Sequence, residues 1–244
     1  MRPQLAETLG GREIVLAGGA GGLGSAVSEL LAAEGARLVV SYRANRERAE
    51  RLQDRAQIVQ ADLAVEADRK RLLDRAPQLY GLVVFAGDPA RVAAGTDLRE
   101  AMLRSHEVNY LGPILLAREA AERMKAAGVA GAIVLLGTMQ AGTLFTGSTA
   151  YAAQKAALVH AALILAKECR GPANIRVNVV SPGVMAAGMA EASIASGKYE
   201  RYLKDGVIPH YGRAEDVARA VRFLLEPDNY VTGQVLGVDG GMGL

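Results

Sequence analysis

The chain has 244 residues, half of them hydrophobic, a length that fits one large α/β domain. Its formal net charge of +2 is too small to indicate a nucleic acid or an anionic membrane as partner. No apolar run approaches the length of about 20 residues that spans a bilayer, no signal-peptide core follows Met1, and the single cysteine cannot form an internal disulfide, so we expect a cytoplasmic protein.

The first predicted elements are a strand, a glycine-rich loop and a helix. Arg12 to Ala17 is a short apolar run typical of a buried strand, and Ser25 to Glu34 is amphipathic. The loop between them consists of Gly18, Gly19, Ala20, Gly21, Gly22, Leu23 and Gly24. Such a loop presents backbone N–H groups at a helix N-terminus, where a pyrophosphate is stabilised. The alternative is an ordinary tight turn.

The second predicted strand, Leu38 to Ser41, is followed by Tyr42 and Arg43. In a dinucleotide-binding fold the adenosine ribose lies near this point, and an acidic residue there would bind the 2′-hydroxyl of NAD. The chain offers Arg43 instead, and a guanidinium suits the 2′-phosphate of NADP. NADP(H) is therefore predicted in preference to NAD(H), unless Arg43 only begins the charged helix predicted over residues 45–55.

Strands and helices continue to alternate along the rest of the chain. The further predicted strands are 57–60, 79–86, 132–136, 175–180 and 234–238, and the further predicted helices are 66–76, 98–125, 150–170 and 215–225. The expected fold is α/β, a doubly wound sheet of about seven parallel strands with helices on both faces, in a single domain over residues 1–244. Ligands bind at the carboxyl ends of such strands. Those ends carry the glycine loop, Arg43, Asp62, Gly87, Thr138 and Gly183.

Two segments depart from this regular pattern. Asn109 and Pro113 are expected to interrupt the helix predicted over 98–125, because a proline frees backbone groups within a helix. The segment at about 185–210 is rich in Ala, Gly, Ser and Met and has weak periodicity. Since it follows the strand at 175–180, it is expected above the cleft, either as a mobile lid or substrate loop or as a plain helical insertion on the surface.

Tyr151 and Lys155 are four residues apart in an Ala-rich run that should be helical, so both side chains lie on one face. An ammonium beside a phenol favours the phenolate and lowers the phenol pKa from its usual value of about 10. Such a pair can move a proton to or from a carbonyl oxygen. The alternative is a surface tyrosine beside a solvated lysine.

Taken in order, these motifs resemble those of the short-chain dehydrogenase/reductase family in its single-domain form. Within that family the chain is most similar to the 3-oxoacyl-[acyl-carrier-protein] reductases. The resemblance runs from Gly11 to Met242. The matching motifs are Ala17 to Gly24, Asp62-Leu63, Val108-Asn109, Tyr151 with Lys155, Ser181-Pro182-Gly183, and Val231 to Met242.

The resemblance implies reversible hydride transfer between NADP(H) and a carbonyl/alcohol pair. Tyr151 would protonate the forming alkoxide, Lys155 would hold the nicotinamide ribose and lower the tyrosine pKa, and Asn109 would connect Lys155 to solvent through water. Thr138 would donate a hydrogen bond to the reacting oxygen, unless Gln140 or Ser148 holds that oxygen. The cofactor contacts implied are Gly18, Ala20, Gly21, Gly22, Leu23, Gly24, Tyr42, Arg43, Asp62, Leu63, Ala86, Gly87, Tyr151, Lys155, Pro182, Gly183 and Met185.

The same resemblance implies a homotetramer and a carbonyl or acyl-thioester substrate, with Gln140, Ser148 and Tyr151 against the substrate and an acyl carrier protein as a possible partner. No metal site is expected, because the His106-Glu107 pair is followed by Tyr110 where a zinc helix would have a second histidine.

Three positions depart from the family pattern. Val84-Phe85 stand where the family has two asparagines, Thr138 where it has serine, and Ala187 where it has threonine. Three functions therefore stay open: a 3-oxoacyl-thioester reductase, a dehydrogenase or reductase for another alcohol, sugar or steroid, and a degenerate member that binds a dinucleotide with little turnover.

Overall fold

The computed structural model describes residues 8–91, 95 and 97–244 and contains a seven-stranded sheet. The strands are β1 (Glu13–Ala17), β2 (Arg37–Tyr42), β3 (Ala56–Gln60), β4 (Leu79–Val84), β5 (Ala132–Leu136), β6 (Arg176–Pro182) and β7 (Val235–Val238). The helices are α1 (Gly22–Ala33), α2 (Arg46–Glu50), α3 (Glu66–Leu73), α4 (Leu98–His106), α5 (Gly112–Ala126), α6 (Thr149–Glu168), α7 (Glu191–Ala195), α8 (Glu200–Lys204) and α9 (Ala214–Leu225).

All strand pairs in the sheet are parallel, in the order β3-β2-β1-β4-β5-β6-β7. Parallel strands require crossover connections, and the helices in those connections cover both faces of the sheet. The predicted doubly wound α/β fold is confirmed. The order reverses between β1 and β4, and a crevice for ligands opens at this reversal, outside the carboxyl ends of the strands.

The apolar runs of the strands are continuous because both faces of the sheet are buried. In β1, Ile14 and Leu16 pack with α1 and α9 on one face, whereas Val15 and Ala17 pack with α5 and α6 on the other. Burying one such side chain contributes about 1.5–3 kcal/mol to stability. The two core layers hold the strand ends, and therefore the site, in fixed positions.

Several predicted helices have different bounds in the structure. The helix predicted over 45–55 is shorter, because α2 covers Arg46–Glu50, and the helix predicted over 66–76 ends at Leu73. The interruption predicted within 98–125 is a π-helical turn, Glu107–Leu111, which joins α4 to α5 and lies just before Pro113. Pro113 then occupies the first turn of α5, where a missing N–H costs little.

Helix α6 corrects one sequence-based expectation. Among the described residues it is the one helix that is long and apolar enough to cross a bilayer, whereas no such run was expected. It contacts β6 and the π-helical turn, and Lys155 lies on its buried side. This is the placement of a core helix packed on a sheet.

Candidate active site

A cleft of about 520 Å³ lies at the carboxyl ends of the strands. Its walls come from the glycine loop, the ends of β2 to β6, the start of α6 and the segment 184–199. Because these parts are far apart in sequence, only the parallel sheet brings them together.

The glycine loop has the geometry of an anion cradle. Gly18 has a φ of +75°, and its N–H donates to Ser41 Oγ at 3.0 Å, which fixes the loop to the end of β2. Helix α1 then begins after Gly21, which provides no side-chain cap. The N–H groups of the first turn of α1 are thus left for a ligand, and Gly22, Leu23 and Gly24 line the cleft. A pyrophosphate fits this end of the cleft.

The glycine loop also touches the segment that covers the cleft. A Cβ atom on Gly22 would lie 2.6 Å from the Gly188 nitrogen, and a Cβ on Gly24 would lie 2.6 Å from Gly19 Cα. Gly188 N–H donates to Glu191 Oε1 at 2.7 Å. Any larger residue at 22 would therefore push this segment away from the loop.

Arg43 lies at the outer end of the cleft, near Asp62 and Leu63. Because α2 begins only at Arg46, Arg43 lies outside the charged helix to which the alternative interpretation assigned it. Gln60 Nε2 donates to the Arg43 carbonyl at 3.1 Å, whereas no hydrogen bond or ion pair of the Arg43 guanidinium is found among the described residues. By contrast, Arg46 Nε donates to Glu50 at 2.7 Å.

Tyr151 and Lys155 lie together on the first two turns of α6, and both line the cleft. Lys155 is buried, and its Nζ donates to the Leu136 carbonyl at 2.8 Å. Burial lowers the pKa of Lys155 to about 8, so the ammonium remains largely protonated at pH 7.

The expectation that Lys155 lowers the pKa of Tyr151 is not what this structure shows. Burial raises the pKa of Tyr151 to about 12, and the Thr138 hydroxyl beside it opposes the shift only in part. Desolvation outweighs the neighbouring groups because the phenolate loses more hydration than they replace. Tyr151 is therefore a neutral phenol at neutral pH, the form that can donate a proton.

Thr138 follows β5 and faces the same point as Tyr151. Its Oγ1 accepts from Gln140 N–H at 3.3 Å and so caps the short 3₁₀ turn Met139–Ala141. Thr138 thus caps this turn, yet its hydroxyl proton is still available to a second acceptor. Ser148 Oγ donates to Gln140 Oε1, so these two side chains are paired with each other.

Asn109 lies in the π-helical turn and is fully buried behind the cleft, which is lined at this point by its neighbour Val108. Its Nδ2 donates to the Asp88 carbonyl at 2.8 Å and to Ser105 Oγ at 2.9 Å, and its Oδ1 accepts from Asp88 N–H at 3.0 Å. Asn109 thereby holds the loop after β4. The water relay implied for it stays a prediction.

Gly87 separates Asn109 from Lys155. A Cβ atom on Gly87 would lie 3.3 Å from Asn109 Oδ1 and 3.7 Å from Lys155 Nζ. A side chain there would take the space in which Lys155 faces the cleft.

The segment expected over the cleft folds into α7 and α8, with the 3₁₀ turn Gly188–Ala190 before them. It combines both interpretations, since it is helical and also lines the cleft through Ala187–Ala190, Ser193, Lys198 and Tyr199. Arg91, from the loop after β4, donates to the Met189 carbonyl at 2.8 Å and to Ser193 Oγ at 3.2 Å. We call residues 185–210 the lid segment; its mobility stays a prediction.

The cleft brings most of the predicted site residues together. Three predicted residues do not line it: Asn109, Ala20, which is buried in the core, and Tyr42, which packs against the core. The predicted residues that do line it are Gly18, Gly21, Gly22, Leu23, Gly24, Arg43, Asp62, Leu63, Ala86, Gly87, Thr138, Gln140, Ser148, Tyr151, Lys155, Pro182, Gly183 and Met185.

Sequence reasoning missed Ser41, Phe85, Arg91, Lys198 and Tyr199, which also line the cleft. Ser41 ends a predicted strand and Phe85 is the next-to-last residue of another, and that position was a usable signal. The other three follow no motif. Among the described residues, no group of three or more His, Cys, Asp or Glu side chains could hold a metal ion.

A glycine loop at the start of α1, a strand-order reversal beside it and a buried Tyr/Lys pair define a dinucleotide-binding oxidoreductase. A family model described as "Enoyl-(Acyl carrier protein) reductase" matches residues 18–243. The chain belongs to the short-chain dehydrogenase/reductase family, whose members are oxidoreductases that bind nicotinamide dinucleotides.

Similar proteins cover almost the whole chain. The "NADPH-dependent aldehyde reductase 2, chloroplastic" of Arabidopsis thaliana is 32% identical, covering 96% of this chain and 94% of its own. The "3-oxoacyl-[acyl-carrier-protein] reductase" of Rattus norvegicus is 34% identical, covering 93% and 96%. A short-chain type dehydrogenase/reductase from Mycobacterium ulcerans has a TM-score of 0.89 at 27% identity, covering 97% of this chain and 91% of its own.

We expect the Thr138 hydroxyl to hold the reacting oxygen. Thr138→Val keeps the shape but removes the donor, and should lower kcat for carbonyl reduction about 10²–10³-fold. Thr138→Ser retains the hydroxyl and should keep or raise kcat. Both forms are compared by steady-state kinetics on one aldehyde, with thermal unfolding to measure the lost cap. Equal kcat in the Val and Thr proteins would show that another group holds the oxygen.

Proposed function

We propose that this protein is an NADP(H)-dependent reductase of small carbonyl compounds, working reversibly on the corresponding alcohols. The observation that carries the proposal is the position of Tyr151, which lines the cleft together with Thr138 and lies one helical turn before Lys155. A neutral phenol in a site of low polarity is suited to protonate an alkoxide as it forms.

When bound, the nicotinamide dinucleotide supplies the hydride that reduces the carbonyl carbon. The residues of the chain position the carbonyl oxygen and supply the proton that it receives. Thr138 donates a hydrogen bond to the carbonyl oxygen, and Tyr151 passes its phenolic proton to the same oxygen. The Lys155 ammonium, held by the Leu136 carbonyl, is placed to hold the nicotinamide ribose. Gly87 leaves the space through which Lys155 faces the cleft.

The names of the relatives support carbonyl reduction, but they differ in the carbonyl compound that is reduced. One is named an aldehyde reductase and another a 3-oxoacyl-[acyl-carrier-protein] reductase, at similar identity. An acyl-thioester is therefore the second candidate substrate. A carrier protein would need a basic patch at the cleft mouth, since carrier proteins are acidic. Arg91 contacts the lid segment, Arg104 lies 3.5 Å from Asp88, and Arg99 lies in a separate groove, so Arg99 does not join Arg91 at the cleft.

The position of Arg43 leads us to expect tighter binding of NADPH than of NADH. Arg43→Ala should reduce the NADPH/NADH affinity ratio about tenfold or more, because a charge-assisted contact to the 2′-phosphate is lost. Arg46→Ala is the matched control, since Arg46 is already paired with Glu50. Both ratios are obtained by titrating cofactor fluorescence. An unchanged ratio in Arg43→Ala would show that a different residue distinguishes the 2′-phosphate of NADPH from the 2′-hydroxyl of NADH.

Tyr151→Phe tests the proposed reaction itself. It removes one hydroxyl and keeps the ring, so turnover should fall about 10²–10⁴-fold, the usual contribution of a positioned proton donor. Cofactor affinity should stay nearly intact. Tyr230→Phe, at a fully exposed tyrosine, is the control. The assay follows NADPH oxidation with a panel of aldehydes, ketones and 3-oxoacyl thioesters. Full activity in Tyr151→Phe would rule out this mechanism.

We further propose a homotetramer. The apolar residues Leu115 and Leu163 are only half-buried, and Val235, Leu236 and Phe223 are exposed. Exposed apolar faces of this kind mark contacts between copies of a chain. Sedimentation velocity at micromolar concentration should therefore show a tetramer. A stable monomer under those conditions would contradict the proposal.

A further inference from the structure

The lid segment places a second tyrosine in the cleft. Tyr199 precedes α8, is only 8% exposed, and lines the cleft on the side of Tyr151. It packs with Met139, Val184 and Ile208 in a small apolar cluster, so its ring rests on the loops after β5 and β6. Its position is therefore set by the sheet as well as by the lid segment.

Tyr199 and Tyr151 both line the cleft. Among the described residues no hydrogen bond of the Tyr199 hydroxyl is found. A phenol that lines the cleft and has no hydrogen-bond partner in the protein is an available donor for whatever occupies the cleft.

Lys198 adds a cation at the same place. Its Nζ lies 5.5 Å from the centre of the Tyr199 ring, and Lys198 also lines the cleft. No carboxylate forms an ion pair with Lys198 within the part of the chain that the structure describes. The nearby Arg91 is held by Met189 and Ser193 instead.

Most of the charged residues that line the cleft are cationic. Of the described lining residues only Asp62 is acidic, and it lies with Arg43 at the adenosine end, whereas Arg91 and Lys198 lie at the lid end. A cleft with cations at one mouth concentrates anions there. The lid end is thus suited to a negatively charged group attached to an apolar body that fits against Phe145, Met139 and Val184.

We propose that Lys198 and Tyr199 form a subsite for an anionic group on the substrate, so that the preferred substrates are carbonyl compounds bearing a carboxylate or phosphate. Lys198 supplies the counter-charge, and the Tyr199 hydroxyl donates a hydrogen bond to the same group. Both are specificity residues and take no part in hydride or proton transfer. The inference rests on the proposed carbonyl reduction, because it assigns the substrate of that site.

The test measures binding without turnover. The protein saturated with NADP⁺ is titrated calorimetrically with 4-carboxybenzaldehyde, with its neutral methyl ester, and with 4-formylphenyl phosphate. The two anions should bind about fivefold or more tightly than the ester. Whichever of the two anions binds more tightly identifies the charged group.

Matched variants assign the effect to the subsite. Lys198→Met should bring the anions and the ester to nearly equal affinity, and Lys198→Arg should restore the preference. Lys204→Met is the control, because Lys204 also lies on the lid segment but pairs with Glu200 at 3.1 Å and does not line the cleft. Tyr199→Phe should weaken anion binding, whereas Tyr202→Phe, whose hydroxyl contacts Arg201, should not.

Equal affinity of the parent protein for anion and ester would overturn the inference, as would a preference that survives in Lys198→Met. Either result is independent of the proposed function, which is measured by NADPH oxidation with the neutral ester. If the anions bind selectively but no probe is reduced, the subsite stands and the proposed reduction fails.

Discussion

Lys155 Nζ donates to the Leu136 carbonyl from a position that water scarcely reaches. This hydrogen bond ties the first turns of α6 to the end of β5, and so fixes Tyr151 against Thr138. A buried ammonium is costly unless it is hydrogen-bonded, and its lowered pKa reflects that cost. The rest of the site follows from this contact, since α6, β5 and the loop after β4 must all meet around one charge.

Burial at this point shifts the pKa values of Tyr151 and Lys155 in opposite directions. The same exclusion of water that keeps Tyr151 neutral lowers the pKa of Lys155 towards neutrality. The neutral phenol can donate a proton, and the ammonium remains largely protonated at pH 7.

Much of the fold was predictable because its signals are local. Alternating apolar strands and amphipathic helices indicated the parallel sheet, and the glycines from Gly18 to Gly24 located the loop before α1. The positions of Thr138, Tyr151 and Lys155 followed from strand ends and helical spacing. The direction of the Tyr151 pKa shift was wrong, because spacing shows which groups are neighbours but not how much water they lose. Tyr42 does not line the cleft for a related reason, since successive residues of a strand face opposite ways.

The residues of the lid segment that line the cleft could not be predicted from the sequence. Lys198 and Tyr199 belong to no motif, and their place in the cleft depends on how α7 and α8 pack over Met139 and Val184. That packing is a long-range property. Ser41 differs, because it ends β2 beside Arg43, and its contact with Gly18 could have been sought from the strand pairing.

The π-helical turn Glu107–Leu111 has a consequence for how this chain can change in length. A π turn holds about one residue more than an α turn, so it sets the rotation of α4 relative to α5. Deleting one residue between Ser105 and Asn109 would close this wide turn to a regular α-helical one and shorten the spacing of the two residues from four to three. The hydrogen bond between Ser105 and Asn109, which helps to orient the amide that holds the loop at Asp88, would then have to form at a different spacing. The length of this segment is thus tied to a contact that lies behind the cleft.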